Sequence, residues 1–90
     1  MYELKLTAQF KKDLKLIKKR GYDINLLEGI VDKLIDNEPL DEKHNDHALK
    51  GKYTGFRECH IMPDWLLVYL IEDDILVLTL TRTGSHSDLF

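Results

Sequence analysis

The stretch Phe56–Arg82, FRECHIMPDWLLVYLIEDDILVLTLTR, decides the fold. Phe56-Arg57-Glu58-Cys59-His60-Ile61 alternates between two faces, Trp65 to Ile71 is nearly all apolar, and Ile75 to Thr81 is β-branched and aliphatic. Such runs, separated by a turn at Pro63-Asp64 and another at Glu72-Asp73-Asp74, predict three adjacent antiparallel strands. The middle run, WLLVYLI, is apolar on both faces, as a central strand covered on both sides requires.

Upstream, the period changes. Phe10, Leu14 and Ile17 recur at helical spacing after Thr7, a residue suited to an N-cap, and Gly21 ends the run. Asp23 or Asn25 can cap a second helix whose apolar stripe is Leu27, Ile30, Val31 and Leu34, with Pro39 beyond its end. Tyr2-Glu3-Leu4-Lys5-Leu6 alternates like a short half-buried strand, which joins a sheet edge, and Glu38–Asn45 (EPLDEKHN) is a polar surface loop. The predicted fold is α+β, in the order β-α-α-β-β-β: a mostly antiparallel sheet with two N-terminal helices packed on one face, one domain over residues 1–90.

The chain has 90 residues, 43% of them hydrophobic and 32% charged, too few for two independent cores. No apolar run approaches the roughly 20 residues of a membrane span, and residues 1–15 hold no uninterrupted apolar stretch of the secretory kind. The expectation is a soluble cytoplasmic protein. Its single cysteine, Cys59, cannot close an intrachain disulfide and reads as a small buried apolar residue. The net charge of −3 argues against a simple basic nucleic-acid coat, but it hides an asymmetry. Residues 1–20 carry seven Lys or Arg against two acids, and the rest of the chain is net acidic. Lys11, Lys12, Lys15, Lys18 and Lys19 make the outer face of the first helix basic, either as a solvated surface or as a contact for phosphate backbone.

All four histidines, His44, His47, His60 and His86, lie in the second half of the chain. Imidazole is the side chain whose unperturbed pKa, about 6.5, suits it to take and give protons near neutrality. In an antiparallel meander the strand leaving Asp64 and the one returning to Arg82 share an end, so His60, Asp64 and Arg82 meet there. His86 follows Arg82 across a tight Thr83-Gly84-Ser85 loop, and His47 can reach the same rim from the loop before the first strand. Such a set fits RNA cleavage by transesterification: one group deprotonates the 2′-hydroxyl, another protonates the leaving 5′-oxygen, and a cation balances charge on phosphorus. Neither metal nor cofactor is required. The same residues leave open a zinc site at His44, His47, His60 and Asp64. A serine nucleophile at Ser85 or Ser87 is weaker, for want of a nucleophile elbow. Trp65 opens an apolar strand and reads as core, while Phe90 can either pack under the sheet or offer its ring to a base.

Three segments together carry a resemblance: Asp46–Gly51 (DHALKG), Arg57–Tyr69 (RECHIMPDWLLVY) and Arg82–Phe90 (RTGSHSDLF). In this order and in so short a chain they resemble the YafQ branch of the RelE superfamily of bacterial toxins. The resemblance implies a ribosome-dependent mRNA endonuclease that cuts A-site codons. It implies a cognate antitoxin, DNA-binding and DinJ- or RelB-like, through which alone operator DNA is touched. It places the site at His47, His60, Asp64, Arg82, His86 and Phe90, with Trp65 beside them. Within that frame Arg82 serves the phosphate, and His86 and His47 transfer protons. Asp64 orients a histidine or makes it more basic, His60 positions, and Phe90 stacks on a nucleotide. The alternative is a module of the same fold that binds antitoxin or ribosome without cutting RNA.

Overall fold

The computed structural model describes all 90 residues. Its order is β1 (Glu3–Leu6), α1 (Ala8–Lys19), α2 (Ile24–Ile35), β2 (His47–Ala48), β3 (Arg57–Met62), β4 (Trp65–Glu72), β5 (Val77–Gly84) and α3 (His86–Leu89), with 3₁₀ turns at Glu42–His44 and Gly51–Tyr53. The sheet runs β1-β5-β4-β3-β2, parallel only between β1 and β5. The mostly antiparallel α+β fold follows, with β4 at the centre and β1 on an edge.

Both helices begin as their caps dictate. The Thr7 hydroxyl accepts the Phe10 N–H at 2.9 Å, and the Asp23 carboxylate accepts the Asn25 N–H at 3.0 Å. Gly21 takes φ +84°, the left-handed geometry that stops α1. Phe10 and Ile17 of α1 and Leu27, Ile30, Val31 and Leu34 of α2 pack on one sheet face against Trp65, Leu67, Tyr69, Leu78 and Leu80. On the opposite face Leu66 and Val68 are covered by Leu89 of α3, with Leu49 and Phe56 beside them. The middle strand is therefore apolar on both sides for two different reasons.

Four expectations are corrected. Ile75 and Leu76 are not strand: β4 continues through Glu72, which pairs with Val77, and residues 73–76 form the turn. Both apolar side chains are exposed, and Leu76 has φ +52°; its carbonyl accepts the Glu3 N–H, which pins the turn to β1. Segment 83–85 is no loop, because β5 runs to Gly84 and Ser85 caps α3. His47 lies on a two-residue strand, paired across from Glu58. Finally, β1 is exposed rather than half-buried; of the alternating segment, Tyr2 alone is buried, and its hydroxyl donates to Asp73.

One irregularity in β5 matters for the chemistry. Val68 pairs with Arg82 but Tyr69 with Leu80, so Thr81 is an extra residue, a β-bulge. Strict alternation would put Arg82 on the same face as Leu78 and Leu80, under the helices. The bulge turns it to the other face and gives the helix side to Thr83, whose hydroxyl accepts the Trp65 Nε1–H at 2.9 Å and donates to the Leu66 carbonyl at 2.7 Å.

Candidate active site

Register assembles the site. His47 pairs with Glu58, Glu58 with Val68 and Val68 with Arg82, one rung across β2, β3, β4 and β5. At ordinary strand spacing this rung spans about 14 Å from backbone to backbone. The next rung is His60, Leu66 and Gly84. Leu66 and Val68 form its apolar floor.

α3 brings His86 over this face. The His86 backbone N–H donates to Asp64 Oδ1 at 3.1 Å and its ring Nδ1 lies 3.0 Å from the same oxygen. A carboxylate can only accept, so Nδ1 carries the hydrogen and Nε2 is left for substrate. His60 stands next to it, ring centroids 5.8 Å apart, and His47 lies 6.4 Å from His60 on the other side. His47 Nδ1 donates to the Asn45 carbonyl at 2.6 Å, which aims Nε2 at Glu58 Oε1, 3.4 Å away. The same Glu58 oxygen lies 3.9 Å from His60 Nε2, and the Glu58 side chain is only 7% exposed. A buried carboxylate between two imidazoles is a natural partner for proton movement. Its one mark in the sequence is its place two residues before His60, on the same face of an alternating strand.

The cationic end is equally defined. Arg82 donates through Nε and Nη2 to Asp13 of α1, at 3.0 and 3.1 Å. Burial alone raises the Asp13 pKa, but hydrogen bonds from Arg82, Gln9 and the Thr83 backbone outweigh it and hold the carboxyl below its ordinary range. Asp13 was discoverable too, being an acid on the apolar stripe between Phe10 and Ile17.

α3 needs a small residue before it. A Cβ on Gly84, whose φ is +156°, would lie 2.9 Å from Asp88 Oδ2, the atom that accepts the Ser85 N–H in the capping box. Asp88 also takes a bidentate pair from Arg20, and this holds its carboxyl well below the usual range; the side-chain and backbone hydrogen bonds from His86 lower that of Asp64. These shifts fix a pH response. A carboxyl whose folded pKa is depressed stabilises the fold above its unfolded pKa, about 3.9, and that contribution is lost as pH falls through the folded value. Urea midpoints are expected to fall steeply below pH 4, and Asp13→Asn is expected to flatten that acid limb.

Phe90 does not pack under the sheet. It is 60% exposed, edge-on to Tyr53 at 5.7 Å, while Leu89 takes the buried place. Tyr53 in turn stands edge-on to Phe56, with Lys52 Nζ 5.7 Å from the Tyr53 ring centre. Tyr53 thus joins the site although no motif marks it. Trp65 is corrected as a substrate contact: it is 2% exposed, edge-on to Tyr22 at 5.0 Å, and it acts by fixing Thr83 next to Arg82. His44 is turned away, its Nδ1 on the His60 carbonyl at 2.7 Å, and no group of three or more His, Cys, Asp or Glu stands close enough to hold a metal. Burial pushes the Cys59 thiol up to about 12, with Asp46 and Glu58 adding to it, which rules out a thiolate nucleophile near neutrality. Lys11, Lys12, Lys15, Lys18 and Lys19 are all exposed on α1. No helix is long and apolar enough to cross a membrane.

Residues 2–90 match the family described as the bacterial toxin of type II toxin-antitoxin systems, YafQ. The chain belongs to the YafQ family of toxins. It is 39% identical to the Escherichia coli K12 mRNA interferase toxin YafQ over 89 residues, which is 98% of this chain and 95% of that one. Its fold matches YafQ in the E. coli DinJ-YafQ complex at 38% identity with a TM-score of 0.91, covering 100% of this chain and 99% of the other. It also matches a metal-bound toxin from Helicobacter pylori at 47% identity, with a TM-score of 0.94 and both chains fully covered. The YafQ assignment confirms the resemblance carried by the three sequence segments, and the RelE-like fold that goes with it.

Proposed function

We propose that this chain is the toxin of a type II toxin–antitoxin pair, acting in the cytoplasm as one domain over residues 1–90: an endoribonuclease that cuts mRNA on the ribosome. The observation that carries the reading is the single sheet face bearing His47, Glu58, His60 and Arg82, with His86 and Asp64 closing over it. The name of its E. coli relative, an mRNA interferase toxin, supports the substrate class.

A phosphodiester resting over Leu66 and Val68 has Arg82 at one end of the rung and imidazoles at the other. Two of the Arg82 nitrogens are engaged by Asp13, which leaves Nη1 to a phosphate oxygen and to the charge that builds up in the transition state. His86, oriented by Asp64, exchanges its proton through Nε2 with one of the two reacting oxygens. His47 serves the other through Nε2, the nitrogen it shares with Glu58, and His60 fills the space between. Phe90 and Tyr53 offer aromatic surface to a neighbouring base. Because Arg82 supplies the positive charge, the reaction needs no metal or cofactor. The antitoxin, a DNA-binding partner of the DinJ or RelB kind, would silence the toxin and carry it to operator DNA, in keeping with the E. coli DinJ-YafQ complex.

The test is to map 5′ ends on mRNA from translating ribosomes with and without the protein. New ends at A-site codons are expected, together with growth arrest relieved by the partner gene. Arrest without new ends would favour the alternative, a module that blocks the ribosome without cutting. The net acidic charge implies that the ribosome does much of the positioning, with the α1 lysines resting on its RNA. Replacing Lys11, Lys12, Lys15, Lys18 and Lys19 by Gln is expected to weaken ribosome binding and flatten its salt dependence, by about 0.7–0.9 in log–log slope for each phosphate no longer neutralised. A sedimentation assay across a salt series reads this directly.

A further inference from the structure

The segment that carries Arg82, His86 and Phe90 is attached to α1 at two points. Asp13 and Arg20 lie seven residues apart, two turns or about 10 Å along the helix and on one side of it. Asp13 is 7% exposed on the stripe that otherwise holds Phe10 and Ile17. Its carboxylate accepts four hydrogen bonds: two from Arg82 at 3.0 and 3.1 Å, one from the Thr83 N–H at 3.2 Å and one from Gln9 Nε2 at 3.0 Å. A helix that served only to pack would gain more from an apolar side chain here, because a buried carboxylate is costly even when fully paired. What this one provides is a fixed guanidinium. Arg82 is gripped side-on through Nε and Nη2, so its plane and direction are set while Nη1 keeps both hydrogens.

Arg20 makes the second attachment. Its Nη1 and Nη2 donate to the two oxygens of Asp88 at 2.6 and 3.1 Å, and Asp88 is the residue that closes the Ser85 capping box of α3. A four-residue helix cannot stand alone. Its orientation, and with it that of His86 and Phe90, depends on such attachments.

We infer that α1 is the positioning element of the reaction: Asp13 sets the Arg82 guanidinium, and Arg20, through Asp88, sets α3. This rests on the reading of the chain as a ribonuclease. The two residues are positioning residues, and neither touches substrate.

Single-turnover cleavage of mRNA on programmed ribosomes tests it, with the wild type, Asp13→Asn, Arg20→Gln, Arg82→Ala and the double variant Asp13→Asn/Arg82→Ala. Asp13→Asn is expected to lower kcat by about 10²-fold with KM unchanged, and to have no further effect once Arg82 is gone. The Arg82 Nε–H signal in ¹H–¹⁵N spectra is expected to be sharp and slow to exchange in the wild type, where it is bonded to Asp13, and exchange-broadened in Asp13→Asn. Arg20→Gln removes a partly exposed pair that adds little to stability, so its Tm should hold while kcat falls about tenfold. An active wild type with an unchanged kcat in folded Asp13→Asn, or an equal loss with and without Arg82, overturns the Asp13 role. If Asp13→Asn does not fold, an unchanged rate in Arg20→Gln overturns the inference. A wild type that cuts nothing overturns the ribonuclease reading and this inference with it, and it is told apart by the silent control.

Discussion

Replacing His86 by alanine is expected to lower mRNA cleavage by about 10²–10⁴-fold, the range that a positioned acid or base supplies. The fold should survive. The His86 side chain is 55% exposed, so its ring contributes little packing. α3 keeps its start through the backbone N–H of residue 86 on Asp64 and the Ser85–Asp88 capping box. Surface changes of this kind usually move stability by no more than about 0.5 kcal/mol. Asp64→Asn should lose less activity, since the ring remains but its orienting carboxylate does not. Purified variants assayed on programmed ribosomes, with circular dichroism to follow folding, distinguish the outcomes. Cleavage by His86→Ala at the wild-type rate would remove His86 from the proton-transfer role.

Exchanging the two residues after the bulge, in the double variant Arg82→Thr/Thr83→Arg, should do more damage than any single side-chain change. The bulge places position 82 on the site face and position 83 under the helices, so the exchange sends the guanidinium into the core and a hydroxyl to the site. The site loses its cation, worth about 10²–10³-fold in rate where charge develops. Buried Asp13 loses the guanidinium that pairs with it, the core receives one in the place of the Thr83 hydroxyl, and Trp65 Nε1 loses its acceptor. Leaving a buried charge unpaired costs about 3–5 kcal/mol, a large part of the roughly 5–15 kcal/mol that stabilises a small domain. Thr81→Ala, which keeps the bulge, is expected to be near neutral in both respects. Urea unfolding and cleavage assays on the two variants give the comparison. An exchanged variant as stable and active as the wild type would show that the bulge does not decide which face position 82 takes.

That bulge also marks where the sequence stops being readable. Helical and strand periods report which face an element buries, and they located α1, α2 and the meander together with their caps and Gly21. A single inserted residue inside an aliphatic run leaves no trace in such a pattern, so Arg82 could be assigned to the right end of the sheet but not to a face. Ile75 and Leu76 look like strand because their composition is that of a strand; long-range hydrogen bonds, Tyr2 to Asp73 and Glu3 to Leu76, hold them in a turn instead. α3 is too short for any period, though Ser85 with Asp88 three residues later is a capping signal.

The candidate site divides in the same way. His60, Asp64 and Arg82 follow from strand direction alone, and His86 from standing four residues beyond Arg82. Glu58 and Asp13 stand at positions where parity or the helical stripe makes a charge conspicuous. Tyr53 and the Arg20–Asp88 pair depend on loop and tail packing that no local pattern encodes. Trp65 shows that a residue within a family motif can serve the site from inside the core.

The most direct measurement concerns the ends of the RNA that the protein makes. Purified toxin and programmed ribosomes are incubated after free toxin has been stripped of metal with EDTA, and the cleaved mRNA is sequenced by methods specific for end chemistry. Attack by the neighbouring 2′-hydroxyl, driven by imidazoles and Arg82, predicts 5′-hydroxyl fragments and 2′,3′-cyclic phosphates formed at an undiminished rate, and neither product with Arg82→Ala. Fragments bearing 5′-phosphates, or activity that returns only when a metal ion is restored, would contradict it.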